Sequence, residues 1–294
     1  MKRDGIKELR EHSYKIGSDP DLAQASGGNT SWKNGKVLWV KGSGKRLKDA
    51  LDEDIFACIS YGALTRSETL DCMDFSRFTT NNIAPSIEAN FHILLSDRFV
   101  THLHSLGSIA IGISNKSNSD LNFGMNLSFV PYARPGNDLA KAISEIENSS
   151  ERILVLQNHG IIFLGRECSD IEKEISKFEG LVRNFFNQIP ESETFPSWIE
   201  IITSGVMTPD EAVFLGRRPF VKSENSCVDS VAVNSKGELI YPNDFSKDRI
   251  ELANFYVRVA KLVERRTQIN YLPENEVHEI LGWDKEQIRI TMAK

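Results

Sequence analysis

The chain has 294 residues, 40% of them hydrophobic and 26% charged, with a formal net charge of −6. This composition excludes a disordered chain, and the length is enough for one large or two small units with a sizeable core. The acidic balance argues against a broad basic face for nucleic acid. It leaves room for a small anionic substrate, which local amides and one or two cations can hold.

The elements are predicted in chain order as follows. Residues 6–16 have helical spacing, and Ala25–Asn34 reads as a Gly/Ser/Asn-rich loop. Lys36–Lys41 is a buried strand turned by Gly42-Ser43-Gly44, and Asp54–Ser60 is a second strand. Residues 64–85 look polar and irregular. Ser86 opens a short helix with Ile87, Phe91, Leu94 and Leu95 inward, so Glu88 falls in its first turn. A strand follows over Phe99–Ser105, then a small-residue helix over Leu106–Ser114 and a short strand over Ser128–Tyr132. Pro135–Asp138 forms a turn into a helix over Leu139–Ile146. Ile153–Leu156 and Gly160–Leu164 are strands that meet at Asn158-His159.

Cys168–Asn187 is a long amphipathic helix with Ile171, Ile175, Phe178, Leu181, Val182 and Phe185 inward. Beyond a polar linker come Trp198–Ile202, a helix over Pro209–Leu215, a hairpin over Val231–Tyr241 turning at Asn234–Gly237, a helix over Asp248–Arg265 and a last helical piece from Asn275. Strands and helices alternate over residues 1–190, an α/β pattern. The expected organisation is a catalytic unit over 1–200 and an extension over 201–294, either packed on the same unit or forming a small cap.

Cys58, Cys72, Cys168 and Cys227 lack zinc-finger or redox spacing, so neither a disulfide framework nor a cysteine metal site is indicated. Met1 is followed by charged residues rather than a signal peptide's apolar run, and no apolar stretch approaches the roughly 20 residues that span a bilayer. The expectation is a cytoplasmic chain with no membrane partner and no nucleic-acid partner.

His102 and His104 stand two apart on a predicted strand, which aims both imidazoles from one face. His159, in Asn158-His159-Gly160, is a third candidate ligand among six histidines. Three neutral imidazoles with an open position suit a catalytic metal ion. A His-x-His pair alone is more often core packing. Glu88, placed just ahead of the histidine strand, suits a general base on a carbon acid, although a glutamate there also favours the helix dipole. Gly27–Ser31, Gly42–Gly44 flanked by Lys41 and Lys45, and Ser86 offer amides and hydroxyls of the kind that hold phosphate; each alone reads as an ordinary turn.

Plain structural readings suit other residues. His92 lies four residues from Glu88 and either orients it or simply packs. Trp32, Trp39, Trp198 and Trp283 read as core or interface. Lys261 with Arg265-Arg266 reads as a solvated helix end, whereas Arg217-Arg218 could meet substrate across an interface.

Taken together, GGNTSWKNGKVLWVKGSG (27–44), PSIEANFH (85–92), THLHS (101–105) and LQNHGIIFLG (156–165) resemble the class II aldolase/adducin family, in the family's order. The wording is most similar to the rhamnulose-phosphate aldolase-like domain of bifunctional aldolase/dehydrogenase proteins. The rest of the chain shows no Gly-rich dinucleotide fingerprint, so a dehydrogenase half is not expected. The resemblance implies a three-layer α/β/α sandwich with a mainly antiparallel central sheet, and a homotetramer with its active site at a subunit interface. It implies zinc or another divalent transition metal, one per subunit, on His102, His104 and His159. It also implies Glu88 as the acid/base, and Gly28, Asn29, Ser43, Gly44 and Ser86 at a sugar phosphate's phosphate, with Lys41 nearby.

The expected reaction is aldol cleavage or formation through a metal-stabilised enediolate. An epimerase or decarboxylase on the same scaffold is the alternative, and a non-catalytic adducin-like binding protein is a third. Glu88 favours aldolase, since epimerases of the family tend to carry Asp there. The chain departs from the pattern in having no tyrosine over Ser105–Leu127, where a proton donor is sought; Tyr132, Tyr241 and Tyr256 are the other candidates. Ile87 replaces a serine of the phosphate motif.

Overall fold

The structure, a computed structural model, describes residues 5–72, 74–114, 123–146, 152–188, 196–264 and 268–283. Its centre is a seven-stranded sheet built from β1 (Asn29–Asn34), β2 (Val37–Lys41), β3 (Phe56–Ser60), β4 (Phe99–Leu103), β5 (Leu127–Val130), β6 (Ile153–Leu156) and β7 (Gly160–Gly165). The order is β3-β2-β1-β4-β7-β6-β5, and every neighbouring pair is antiparallel except β5 with β6.

Strand period two sorts the side chains into two layers. On one face Trp32, Phe56, Phe99, Leu103, Ile161 and Phe163 pack with α1 (Gly5–Gly17), which contributes Leu9 and Ile16. The opposite face carries Leu38, Val40, Ala57, Ile59, Val100, Leu154 and Ile162. It is covered by α2 (Arg66–Asp71), α3 (Ala89–Leu94) and the segments around them, with Leu70, Phe75 and Phe91 packing inward. Three further helices complete the two layers: α4 (Leu106–Gly112) and α6 (Cys168–Gln188) on the first face and α5 (Asn137–Ile146) on the second. The α/β/α expectation is met.

From residue 196 the chain adds α7 (Trp198–Ser204), α8 (Pro209–Leu215), β8 (Phe220–Lys222), β9 (Val231–Val233), β10 (Leu239–Ile240), α9 (Lys247–Val263) and α10 (Glu274–Leu281). The last three strands form a small sheet, with β8 parallel to β9 and β9 antiparallel to β10. Ile201, Met207, Phe255 and Val259 belong to the same apolar cluster as Ile109 and Phe178. Polar ties reinforce this packing. Asp21 receives both Arg183 and Arg258, at 2.7 and 2.8 Å, and the Asn270 amide donates to the Ile113 carbonyl at 2.8 Å. Among the described residues no helix is long and apolar enough to cross a membrane.

Several expectations need correction. Six of the ten residues of the predicted loop Ala25–Asn34 form β1, an interior strand held by Trp32↔Trp39 on one side and Ser31↔Val100 on the other. Two waiting neighbours satisfy its amides, so pairing overrides the loop-like composition. Within 64–85, Thr65 and Glu68 form a reciprocal capping box that starts α2. Helix α3 begins at Ala89, so Glu88 stands at its N-cap and not in the first turn. Strand β4 ends at Leu103, leaving His104 just beyond it. In α6 Ile171, Ile175, Phe178 and Val182 are buried as expected, and Cys168, Glu179 and Phe186 are buried with them, while Leu181 and Phe185 are half-buried. Strand β8 was not foreseen; at three residues it carries no readable alternation. The pair Arg265-Arg266 lies outside the described residues.

Candidate functional site

The site forms where β1, β4 and the β6–β7 turn converge. In the β1–β4 register Asn29 lies directly opposite His102, and in the β4–β7 register His102 lies opposite Ile162. Asn29 and His102 therefore share one face. His159 sits in the short turn between β6 and β7, where Asn158 takes the left-handed conformation at φ 53°, one that asparagine tolerates better than most residues. Gly160 is needed for close approach: a Cβ there would lie 2.3 Å from the Leu103 carbonyl and 3.1 Å from His104 Cδ2. Gly28 has φ 65°, and its Cβ would press on the His102 carbonyl at 2.8 Å.

The three imidazoles come together as expected. Their ring centroids are 4.8, 5.0 and 5.1 Å apart, and one nitrogen of each lies within 4.8 Å of the other two. All three rings are buried. Nδ1 of His102 faces the Ile161 carbonyl at 3.1 Å. A carbonyl only accepts, so this nitrogen carries the proton and Nε2 offers its lone pair. Nδ1 of His104 likewise faces Asp210 Oδ2 at 2.9 Å. The Nε2 atoms of His102 and His104 are 3.0 Å apart. Burial pushes His102 down to about 4 and His159 down to about 3, despite the opposing pull of Glu88, so both are neutral near pH 7.

Glu88 completes the cluster. Oε1 is 3.3 Å from His159 Nε2, and Oε2 is 3.6 Å from His102 Nε2. Asn29 Nδ2 donates to Oε2 at 2.8 Å and to Ser86 Oγ at 3.3 Å. Burial raises the Glu88 carboxyl, but the three neighbouring imidazoles and the Asn29 bond outweigh it and hold it below the usual range. Imidazole nitrogens and carboxylate oxygens thus converge on one point. A cation satisfies such a set of acceptors, whereas a shared proton does so only in part. A cavity of about 20 Å³ lies beside this cluster, bordered by Glu88, His104 and His159, with room for one water-sized occupant. The donor set thus fits a divalent ion.

Gly28, Asn29, Lys41, Ser43, Gly44 and Ser86 all border this cavity, with Glu88, His104 and His159. Ser86 Oγ accepts from Asn29 and from the Glu88 amide at 3.2 Å, which leaves its own proton to donate. The Ser43 amide is taken by the Ala84 carbonyl at 2.9 Å, tying the 42–44 and 84–86 segments together. Lys41 Nζ donates to the carbonyls of Ser26 and Lys45, both at 2.7 Å, and so braces the loop that carries Gly28.

His92 packs within the layer and also serves the site at one remove: its Nε2 pairs with Asn29 Oδ1 and its Nδ1 with Ser31 Oγ at 2.7 Å. Among the tyrosine candidates, Tyr256 is buried and paired with the Thr208 hydroxyl, and Tyr241 donates to Asn254 at 2.9 Å. The buried Tyr132 hydroxyl has no hydrogen-bond partner among the described residues. None of the three borders the histidine cavity. Arg217 and Arg218 border a separate cavity of about 650 Å³ with Phe220 and Tyr271, so within one chain they do not reach the histidines. Sequence reading missed Asp210. It lies 106 positions from its partner His104, in a stretch that reads only as a helix start.

The class II aldolase and adducin N-terminal domain matches residues 8–184. An uncharacterized oxidoreductase, YuxG, of Bacillus subtilis is 28% identical over 213 residues, which is 65% of this chain and 31% of that protein. The chain thus spans about a third of that relative's length. An L-fuculose phosphate aldolase of Methanocaldococcus jannaschii is 23% identical over 183 residues, covering 59% of this chain and 87% of that protein. Among solved structures, the N-terminal class II aldolase domain of a conserved protein from Thermoplasma acidophilum is 26% identical with a TM-score of 0.53, covering 63% of this chain and 94% of that one. With the domain matched over more than half its length and the fold in agreement, this chain belongs to the class II aldolase and adducin family.

Proposed function

We propose that the chain is a metal-dependent lyase that cleaves or forms a carbon–carbon bond in a small sugar phosphate. The observation that carries this reading is the convergence of His102, His104 and His159 with the Glu88 carboxylate in one buried cluster. A non-catalytic binding protein has no use for a carboxylate and three imidazoles aimed at the same point. The M. jannaschii relative's name, an L-fuculose phosphate aldolase, supports the substrate class.

Zinc or another divalent ion on the three imidazoles would supply Lewis-acid stabilisation of enediolate charge. The protein's own groups do the rest. Glu88 Oε1 has no hydrogen-bond donor among the described residues, so this oxygen gives the proton to the substrate carbon or takes it away. Asn29 holds the other oxygen and fixes the carboxylate plane. Ser86, Ser43, Asn29 and the Gly28 and Gly44 backbone hold the phosphate at the cavity edge. A homo-oligomer would bring a partner's side chain to the aldehyde end, since none of this chain's tyrosine candidates borders the cavity.

The test begins with elemental analysis of purified wild type and His102→Ala. About one equivalent of transition metal, lost in the variant, is expected. The loaded enzyme is then offered a panel of ketose phosphates in deuterated water, with NMR reading both cleavage and deuterium uptake at carbon. Cleavage with exchange, both abolished by Glu88→Gln, supports the lyase. Rearranged sugar without cleavage moves the chain to an epimerase. A wild type that stays metal-free after incubation with Zn2+ overturns the reading.

A further inference from the structure

We infer that Asp210 is a positioning residue for the metal ligand His104, and that the region beyond the matched family domain thereby sets how tightly this chain holds its ion. The inference rests on the metal reading above and extends it to residues 206–270, outside the 8–184 match.

Asp210 is buried, and its Oδ2 lies 2.9 Å from His104 Nδ1. A carboxylate at this distance accepts the Nδ1 proton, which fixes the tautomer and leaves Nε2 bare on the side of His102. The surroundings are shaped around the contact. A Cβ on Gly27 would lie 3.0 Å from Asp210 Oδ2 and equally 3.0 Å from His104 Nδ1, so only a glycine leaves this pair unobstructed. Helix α8, which carries Asp210, is buried over its whole length. It is pinned by the Thr208 cap on the Glu211 amide, by the pairing of Thr208 with Tyr256, and by Arg249 Nε donating to the Phe214 carbonyl at 2.9 Å.

The same region also reaches the turn that carries His159. Asn158 Nδ2 donates to the carbonyls of Met207 and Asn270, both at 2.8 Å. Two of the three imidazoles are thus backed by contacts from beyond residue 200, whereas His102 is oriented from within the central sheet through Ile161.

Outer partners of this kind change metal affinity by about 10–100-fold. The test compares wild type, Asp210→Asn and Asp210→Ala for Zn2+ affinity by competition with a chromophoric chelator. 15N NMR of the histidine rings without metal reads the His104 tautomer. The expected result is affinity lowered about 10–100-fold in Asp210→Ala and less in Asp210→Asn, whose neutral amide is a weaker acceptor and can turn its NH2 toward the ring, with the His104 tautomer redistributed in both. The isosteric Asp210→Asn carries the test should Asp210→Ala fail to fold. A wild type holding one equivalent of Zn2+ while Asp210→Asn matches it in affinity and tautomer overturns the inference and leaves the lyase reading standing. A wild type that takes up no Zn2+ overturns both.

Discussion

The matched domain and the chain beyond Trp198 contribute to the site in different ways. The first presents the clustered side chains, three imidazoles and Glu88, set by strand register and by the 84–88 segment bound along the end of β2. The second contributes no imidazole to the cluster, yet it braces two of the three from behind. A sheet can aim side chains because register fixes them to one face, but it cannot choose the tautomer of a ring that projects past the strand end. His102 lies inside β4 and finds its partner on β7. His104 lies one residue past the strand and must find its partner elsewhere.

The sharpest way to break this comparison is at Glu88. Glu88→Gln removes the proposed proton carrier and keeps the shape, so turnover should fall by about 10²–10⁴-fold while bound metal stays near one equivalent. A variant that retains activity would mean the chemistry lies elsewhere. Next in size is Phe255→Ala in α9. Phe255 is fully buried in the cluster shared with the sheet, and the cost should be about 3–5 kcal/mol. One cooperative unfolding transition, moved as a whole, is expected. Two transitions, with only one moved, would make the two regions energetically separate.

A smaller effect is read by pH. Glu179 on α6 accepts from Ser105 Oγ at 2.5 Å and from the Gly107 amide at 2.9 Å. Burial, against those two bonds, pushes its carboxyl up to about 7. The folded state thus binds this proton more tightly than the unfolded chain. Its stabilising effect is complete below the ordinary carboxyl range and is lost as pH rises toward 7 and through it. The difference is on the order of 3 kcal/mol at most. Thermal midpoints at pH 5 and pH 8 should therefore fall further for wild type than for Glu179→Gln; equal slopes would remove Glu179 from the account. Smallest of all, Arg134 pairs with Glu276 at 2.9 Å on the partly exposed seam to α10. Arg134→Ala should cost at most about 1 kcal/mol in a denaturant melt, and a larger loss would make this seam more than a surface contact.

Much of the site was legible because its signals are local. His102 and His104 are two apart on a strand, His159 sits beside a glycine at a strand junction, and Glu88 follows a Pro-Ser step. Each is a short-range pattern with a physical period. Less legible was β1, whose Gly, Ser and Asn content suits a turn. Its strand conformation comes from β2 and β4 supplying hydrogen bonds on both edges, and no residue within the segment announces those neighbours. The role of His92 was half visible: the four-residue spacing to Glu88 held, but the connection runs through Asn29, which arrives from another strand.

The sequence by itself determined the alternation of helix and strand, the two-faced sheet and the identity of the histidines and the glutamate that cluster, since these follow from periodicity and residue chemistry within a few positions. Only the tertiary structure decided that Asp210 meets His104 and that Asn158 is tied to Met207 and Asn270. Those pairings join segments far apart in the chain, brought together by the packing of α7, α8 and α9 on one another and of α9 on α4 and α6. Hydrophobic burial is non-directional, so the sequence pattern shows that these helices must pack, and only the packed chain shows which polar side chains come to face one another.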